Sequence, residues 1–346
     1  MKPSRIFFLF SMATLIALLL THFGKENRIV EKTSLSMGTI VQIKVPSDCC
    51  ESQKKLEEKI THAFSEVRRV ENVFSVYREN SEVSRINRLA YGQPIRISDE
   101  VFGLIETALE YSKRTDGAFD ITVKPLVDLW ASAKVSGMMP GEEEIKAALA
   151  KTGPQNVILD KAFKTISFKK RGMSIDLGAI AKGYATDRAI AMLKQEGITA
   201  AIVNSGGDMY CLGMRSKKEP WTIGIQHPRD REKTFLELKL ADEAIDTSGD
   251  YEKFFVLNGK RYSHIIDPRT GYPVGDEVVS ATVTAGDSVT ADIYATALCV
   301  LGPKRLDIIK EAKGVEAMIV VNEDGVLKPY VSPGFKERYS VSKIDL

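Results

Sequence analysis

Residues 174–187 read SIDLGAIAKGYATD. An apolar run carries one carboxylate, Asp176, breaks at Gly178, and resumes with helical spacing through AIAKGYATDRAIAMLKQEG (179–197). Gly197 then supplies an ordinary helix stop. The order is therefore strand, glycine turn, helix. Glycine at such a turn lets a ligand approach the backbone closely, and the free amides of a helix start favour an anion. Lys182 sits in the first turn, although the helix dipole prefers cations at the other end. That misplacement points to a task for the lysine. The stretch has neither the P-loop nor the dinucleotide-binding glycine pattern. A plain strand-to-helix turn accounts for it equally well, so the rest of the chain has to supply its partners.

Working outward, SLSMGTIVQIKV (34–45) reads as a first strand, rich in β-branched residues. Leu56, Ile60, Ala63, Val67, Val70 and Phe74 recur at helical spacing over 52–75. A second helix covers 101–115 behind a cap at Ser98 or Asp99, and EEEIKAALA is a short third one. NVILD, TISFK and GMSIDL read as strands. AAIVNSGGDMYCLG is an apolar strand that meets a double glycine, and a run of strands follows it. SVTADIYATALCVLG (288–302) is a helix ending in glycine, and a strand hairpin closes the chain. The pattern predicts an α+β fold of antiparallel sheets flanked by helices, with an active cleft between two lobes. No linker of Pro, Gly and Ser divides it, so 25–346 reads as one functional domain.

Of 346 residues, 44% are hydrophobic and 27% charged, which is ordinary globular composition. The net charge is +2 and no dense basic stripe with interleaved aromatics is present, so no nucleic-acid partner is expected. The N-terminus, by contrast, is biased. MKPSR carries two positive charges, and the chain then runs uncharged from Ile6 to Leu20. Residues 1–24 read as a secretory signal or as an N-terminal membrane anchor. Either places the body outside the cytoplasm, periplasmic or held at the inner membrane. No cysteine follows the apolar run to take a lipid. The four cysteines, Cys49, Cys50, Cys211 and Cys299, form neither a disulfide framework nor a zinc pattern. Cys211 and Cys299 read as small buried residues.

Three further stretches carry chemistry. In TADIYATALCV, Asp292 and Thr296 lie four apart and share a helix face. A carboxylate and a hydroxyl are hard oxygens suited to magnesium, although an acidic residue in a first helical turn is also favoured by the dipole alone. Among four histidines, His22 lies in the export segment and His62 in a charged helix, leaving His227 and His264. His264 stands on an apolar strand before the turn-rich DPRTG, where a histidine suits general base catalysis or a plain hydrogen-bonded role. NSGGDM (204–209) permits close approach of a ligand or another backbone, and GAFDITV (117–123) sets Asp120 between an aromatic residue and a strand.

Taken together, SMGTI, VYRENSEVSRIN, GAFDITVKPLVDLW, DLGAIAKGYATD, NSGGDMYCLG, DTSGDYEKFF, SHIIDPRTGYP and TADIYATALCVLG resemble, in order, the motifs of the ApbE family of FAD:protein FMN transferases. The resemblance runs from about Thr33 to the C-terminus. It implies an ApbE-like, T-fold-related architecture. It also implies magnesium-dependent cleavage of FAD, with FMN joined by a phosphoester to a threonine or serine of an acceptor protein and AMP released. Implied acceptors are flavin subunits of membrane redox complexes of the sodium-pumping or Rnf type. Carried over by motif, Met37, Tyr77, Ala118, Phe119, Asp120, Asp176, Lys182 and Ile266 contact FAD. Magnesium takes the Ala179 carbonyl and the side chains of Asp292 and Thr296, and His264 is the candidate base. At Ala295, where some relatives have a further acidic ligand, another oxygen must serve. Two other readings are a magnesium-dependent FAD pyrophosphatase and a non-catalytic flavin-binding protein.

Overall fold

A computed structural model of the chain describes residues 29–47 and 52–339. Residues 1–24, read above as a signal or membrane anchor, and Cys49 and Cys50 lie outside the described residues. Among the described residues no helix is long and apolar enough to cross a membrane.

The frame is one eight-stranded sheet built from β1 (Ile29–Ser36), β2 (Thr39–Pro46), β3 (Ala201–Ser205), β4 (Asp208–Leu212), β5 (Glu243–Gly249), β6 (Val278–Ala285), β7 (Glu316–Glu323) and β8 (Val326–Val331). Its strands lie side by side in chain order, and every neighbouring pair is antiparallel. The helices are α1 (Gln53–Phe74), α2 (Glu82–Leu89), α3 (Asp99–Arg114), α4 (Lys124–Ser136), α5 (Glu142–Leu149), α6 (Gly178–Gln195), α7 (Ser288–Leu301) and α8 (Pro333–Tyr339). All of them but α8 fall in the two long excursions from the sheet, between β2 and β3 and between β6 and β7.

Strand alternation decides which layer covers which face. Val41, Ile43, Val203, Ala244, Ala281, Val283 and Ile319 project from one face into a core shared with α1, α3, α6 and α7. Ile202, Cys211, Ile245, Met318 and Val320 project from the other, under the hairpin Trp221–His227/Asp230–Leu240 and under Phe335 and Tyr339 of α8. A third, smaller core joins α4 and α5 to Leu257 and Ile266. Because both faces are covered, a polar side chain on a central strand is buried whichever way it points.

The helices begin and end close to where their caps place them. Ser52, Ser98 and Asp287 each accept a backbone N–H as N-caps of α1, α3 and α7. Four readings change. The stretch 34–45 is not one strand but a hairpin, with Met37 (φ 55°) and Gly38 (φ 69°) forming a two-residue left-handed turn. AAIVNSGGDMYCLG is likewise two strands rather than one, with Gly206 (φ 70°) and Gly207 (φ 112°) as the turn that joins β3 to β4. In GAFDITV, Asp120 caps a single 3₁₀ turn, Ile121–Val123, where a strand was expected. GMSIDL forms no strand: its Ile175 N–H and C=O are both taken by the Asn87 side chain, at 2.8 Å each, and the Asp176 N–H goes to Ile121 C=O. Cys211 and Cys299 are buried free thiols, as expected.

Candidate active site

The opening stretch is held by two glycines with different tasks. The Gly178 N–H donates to Asp176 Oδ1 at 2.8 Å, so the carboxylate closes a turn that starts α6. Five residues on, Gly183 lies against the first turn of α7, where a Cβ would meet the Ser288 and Val289 backbone. The start of α7 is tied to the middle of α6 by Asp187, which accepts from the N–H groups of Ser288 (2.9 Å) and Val289 (3.1 Å). Between the glycines α6 is kinked at Ala179 (φ −90°, ψ 15°). The Gly183 N–H, which in an unbroken helix serves the carbonyl of Ala179, donates to Asp292 Oδ2 at 3.2 Å.

This packing closes over three carboxylates. Asp208 from β4, Asp246 from β5 and Asp292 from α7 each offer an oxygen within 4.8 Å of the others. They are 0%, 2% and 1% exposed. The only cation bonded into the group among the described residues is Lys182, paired with Asp208 Oδ2 and 3.8 Å from Asp292 Oδ1. Burial works against the lysine charge, but Asp208, Asp292 and Asp246 outweigh it and hold the ammonium well above the ordinary lysine range. Burial and the charge of Asp208 push the Asp292 and Asp246 carboxyls well above the usual carboxylate range. Asp208 Oδ1 and Asp246 Oδ2 are buried with no hydrogen-bond partner. Thr296, one turn beyond Asp292, lies 3.5 Å by Oγ1 from Ser248 Oγ of β5. Hard oxygens, excess negative charge and orphaned buried acceptors fit a divalent cation such as magnesium.

His264 stands beside this group. Its Nδ1 lies 2.9 Å from the Lys253 carbonyl oxygen, which only accepts, so Nδ1 carries the proton and Nε2 keeps a free lone pair. The residue is exposed. Protein around the ring pushes its pKa down to about 4, helped by the Lys253 and Lys182 charges. The imidazole is therefore neutral at physiological pH. In Glu252, next to Lys253 in the chain, burial raises the carboxyl while Lys182 opposes the rise. Asp250 braces the segment: it pairs with Arg229 by two bonds of 2.8 Å, and its carbonyl accepts from Arg261 at 2.6 Å.

The comparisons with known proteins follow this geometry. Residues 37–319 match the model of the ApbE family. The chain belongs to the ApbE family. It is 35% identical over 305 residues to the FAD:protein FMN transferase of Klebsiella pneumoniae, covering 87% of this chain and 92% of that one. With the protein of the same name from Vibrio cholerae it shares 34% identity over 323 residues, 92% and 95% of the two chains. In three dimensions it is similar to the ApbE protein of Thermotoga maritima (TM-score 0.80, 35% identity, 90% of this chain and 99% of that one). The Vibrio cholerae flavin transferase ApbE gives a TM-score of 0.78 at 32% identity, over 90% of this chain and 99% of that one. The mixed architecture expected from the family motifs is the one observed.

The structure brings Lys182 within 3.8 Å of Asp292, sets Thr296 one turn further along α7 and Ala179 at the kink of α6, and leaves His264 within reach of the Lys182 charge. Asp120 and Asp176 form a second neighbourhood, joined by the Asp176 N–H to Ile121 C=O bond of 2.7 Å. Asp120 turns inward, accepting from Thr122 N–H and Oγ1–H at 2.8 Å, and burial raises its carboxyl. Ala118 and Phe119 are buried beside it. Met37 sits at the tip of the β1–β2 hairpin, Tyr77 is 89% exposed, and Ile266 packs in the third core. No hydrogen bond or ion pair among the described residues joins these last three to the acidic group. Ala295 is buried and supplies no side-chain oxygen. Sequence reasoning missed Asp208 and Asp246. The signal for the second was a carboxylate inside the apolar strand EAIDTSG.

Proposed function

We infer that this chain transfers FMN from FAD to a hydroxyl of an acceptor protein and releases AMP. The observation that carries the reading is the buried carboxylate–lysine group at the meeting of two helix starts, with a neutral histidine beside it. Phosphoryl transfer asks for charge neutralisation and positioning rather than covalent catalysis, and this site offers both. Magnesium, held by the Ala179 carbonyl, Asp292 and Thr296, supplies neutralisation of the pyrophosphate charge. Redirection of the Gly183 N–H to Asp292 supports a role for the Ala179 carbonyl.

The remaining steps belong to side chains. His264 Nε2 takes the proton from the acceptor hydroxyl, and the freed oxygen bonds to the FMN phosphorus. The pyrophosphate P–O bond breaks, and its electron pair leaves with AMP. The acceptor residue is a threonine or serine. Asp176, Lys182, Met37, Tyr77, Ile266 and the turn 118–120 hold FAD, with exposed Tyr77 offering a stacking face. The chain acts outside the cytoplasm on flavin subunits of sodium-pumping or Rnf-type redox complexes.

The test is to incubate the full chain with FAD, magnesium and a flavin-acceptor domain, and to read in-gel fluorescence of the acceptor. Asp292→Ala should abolish labelling; labelling at the wild-type rate refutes the metal assignment. Free FMN and AMP without a labelled acceptor assign the site to hydrolysis, and no AMP at all assigns it to flavin binding.

A further inference from the structure

The acidic group holds more negative charge than the metal ligands named above require. Asp208, Asp246 and Asp292 bring three carboxylates, and Lys182 returns one positive charge. The deficit is two charges, the charge of one divalent cation. Size agrees with charge. Two oxygens on opposite sides of an ion at ~2.1 Å are separated by ~4.2 Å, and the three carboxylate oxygens all lie within 4.8 Å of one another. An inward movement of at most ~0.6 Å therefore fits the three around a single ion.

The unpartnered atoms say which side chains are waiting. Lys182 occupies Asp208 Oδ2, and Asp208 Oδ1 has no partner. Asp292 Oδ2 accepts the Gly183 N–H. Asp246 Oδ2 has no partner although the residue is 2% exposed. A buried acceptor without a donor is costly, and no pairing within the fold relieves it. Asp246 also points the right way. Residues 246 and 248 share a face of β5, and Ser248 on that face reaches Thr296 of α7.

We propose that Asp246 is a direct ligand of the site's divalent cation. The sheet thereby supplies an oxygen in addition to those of α6 and α7, with Asp208 Oδ1 beside it. The proposal rests on the cation-dependent reading above, and its test separates the two. Mn²⁺ serves as the probe. Its binding to the full chain is measured by the electron paramagnetic resonance signal of the free ion, with and without FAD, and by the Mn²⁺-induced rise in melting temperature.

Wild type should bind one Mn²⁺ that Mg²⁺ displaces. Asp246→Asn should bind at least ~10-fold more weakly, since a ligand and a charge are lost, and its melting temperature should no longer respond to Mn²⁺. Asp246→Ser, scored the same way after circular dichroism confirms folding, serves if the asparagine variant does not fold. Binding by either folded variant within twofold of wild type overturns the role of Asp246 and leaves the cation-dependent reading intact. Failure of the wild-type chain itself to bind Mn²⁺, with or without FAD, overturns both.

Discussion

Replacing Gly183 by alanine puts a methyl group where the first turn of α7 already stands. The Cβ would lie 2.7 Å from the Ser288 carbonyl carbon and 3.0 Å from the Val289 nitrogen, and closer still to the Ser288 oxygen. Ordinary contact between carbon atoms is ~3.5–4.0 Å, so the two helices must part by roughly 1 Å. All three obstructing atoms are backbone, and no rotamer change relieves them. Overpacking of this kind costs ~1–3 kcal/mol, against a helix-propensity gain of ~1 kcal/mol for alanine over glycine. The net loss should reach up to ~2 kcal/mol, and at ~2–4 °C per kcal/mol the melting temperature should fall by up to ~8 °C. Parting the helices also stretches the Gly183–Asp292 bond and the Asp187 bonds to α7, so Mn²⁺ affinity should fall with stability. The control is Gly103→Ala in α3, where a Cβ meets nothing within 4 Å. That variant should gain up to ~1 kcal/mol. Calorimetric melting of both variants, with Mn²⁺ titration of each, decides the matter. A Gly183→Ala protein as stable as wild type, with wild-type Mn²⁺ affinity, refutes the idea that close helix approach builds the site.

His264→Ala should lower the FMN transfer rate by ~100-fold or more while FAD binding persists. In wild type, the base being neutral above a pKa of about 4, the rate should not titrate with His264 near neutrality. Unchanged turnover in the alanine variant removes His264 as the base. Asp187 is pushed up by burial from 3.8 to about 6. A carboxyl raised on folding stabilises most below pH 3.8, and that contribution disappears as pH rises through 6. Asp187→Asn keeps an acceptor for the Ser288 N–H, so the fall in melting temperature between pH 4 and 6 should shrink; a wild-type pH slope in this variant refutes the assignment.

Local signals were enough where the cause was local. The helix start at Ser98 follows from a side chain that accepts the amide three residues on, and the chain states this directly. GMSIDL could not be read that way. Its apolar pattern suits a strand, but its hydrogen bonds go to Asn87, which lies 88 positions earlier. The hairpin at Met37–Gly38 was hidden for a related reason: a two-residue turn needs both residues left-handed, and methionine does not advertise that conformation. The dipole argument singled out Lys182, yet it named no partner. Its partner Asp208 follows a double glycine that was read as permitting close approach, and those glycines form the turn that starts β4 at Asp208.

Asp246 makes the same point in energetic terms. A carboxylate in a strand is unremarkable when one sheet face is wet, because the strand register can turn it outward. Here helices cover one face and a hairpin with α8 covers the other, so no register exposes it. The fold therefore fixes a cost that the strand alone does not show. The cost is tolerable only if protons or a cation answer the charge. The two glycines of the opening stretch bear on which it is. Gly178 lets Asp176 close the turn that starts α6, and Gly183 lets α7 approach until Asp292 joins Asp208 and Asp246. A chain that only needed to bury three acids could have protonated them at a distance from one another. Drawing their oxygens to within 4.8 Å, with one lysine and two empty acceptors, is the arrangement that a divalent ion rewards and a set of isolated protons does not.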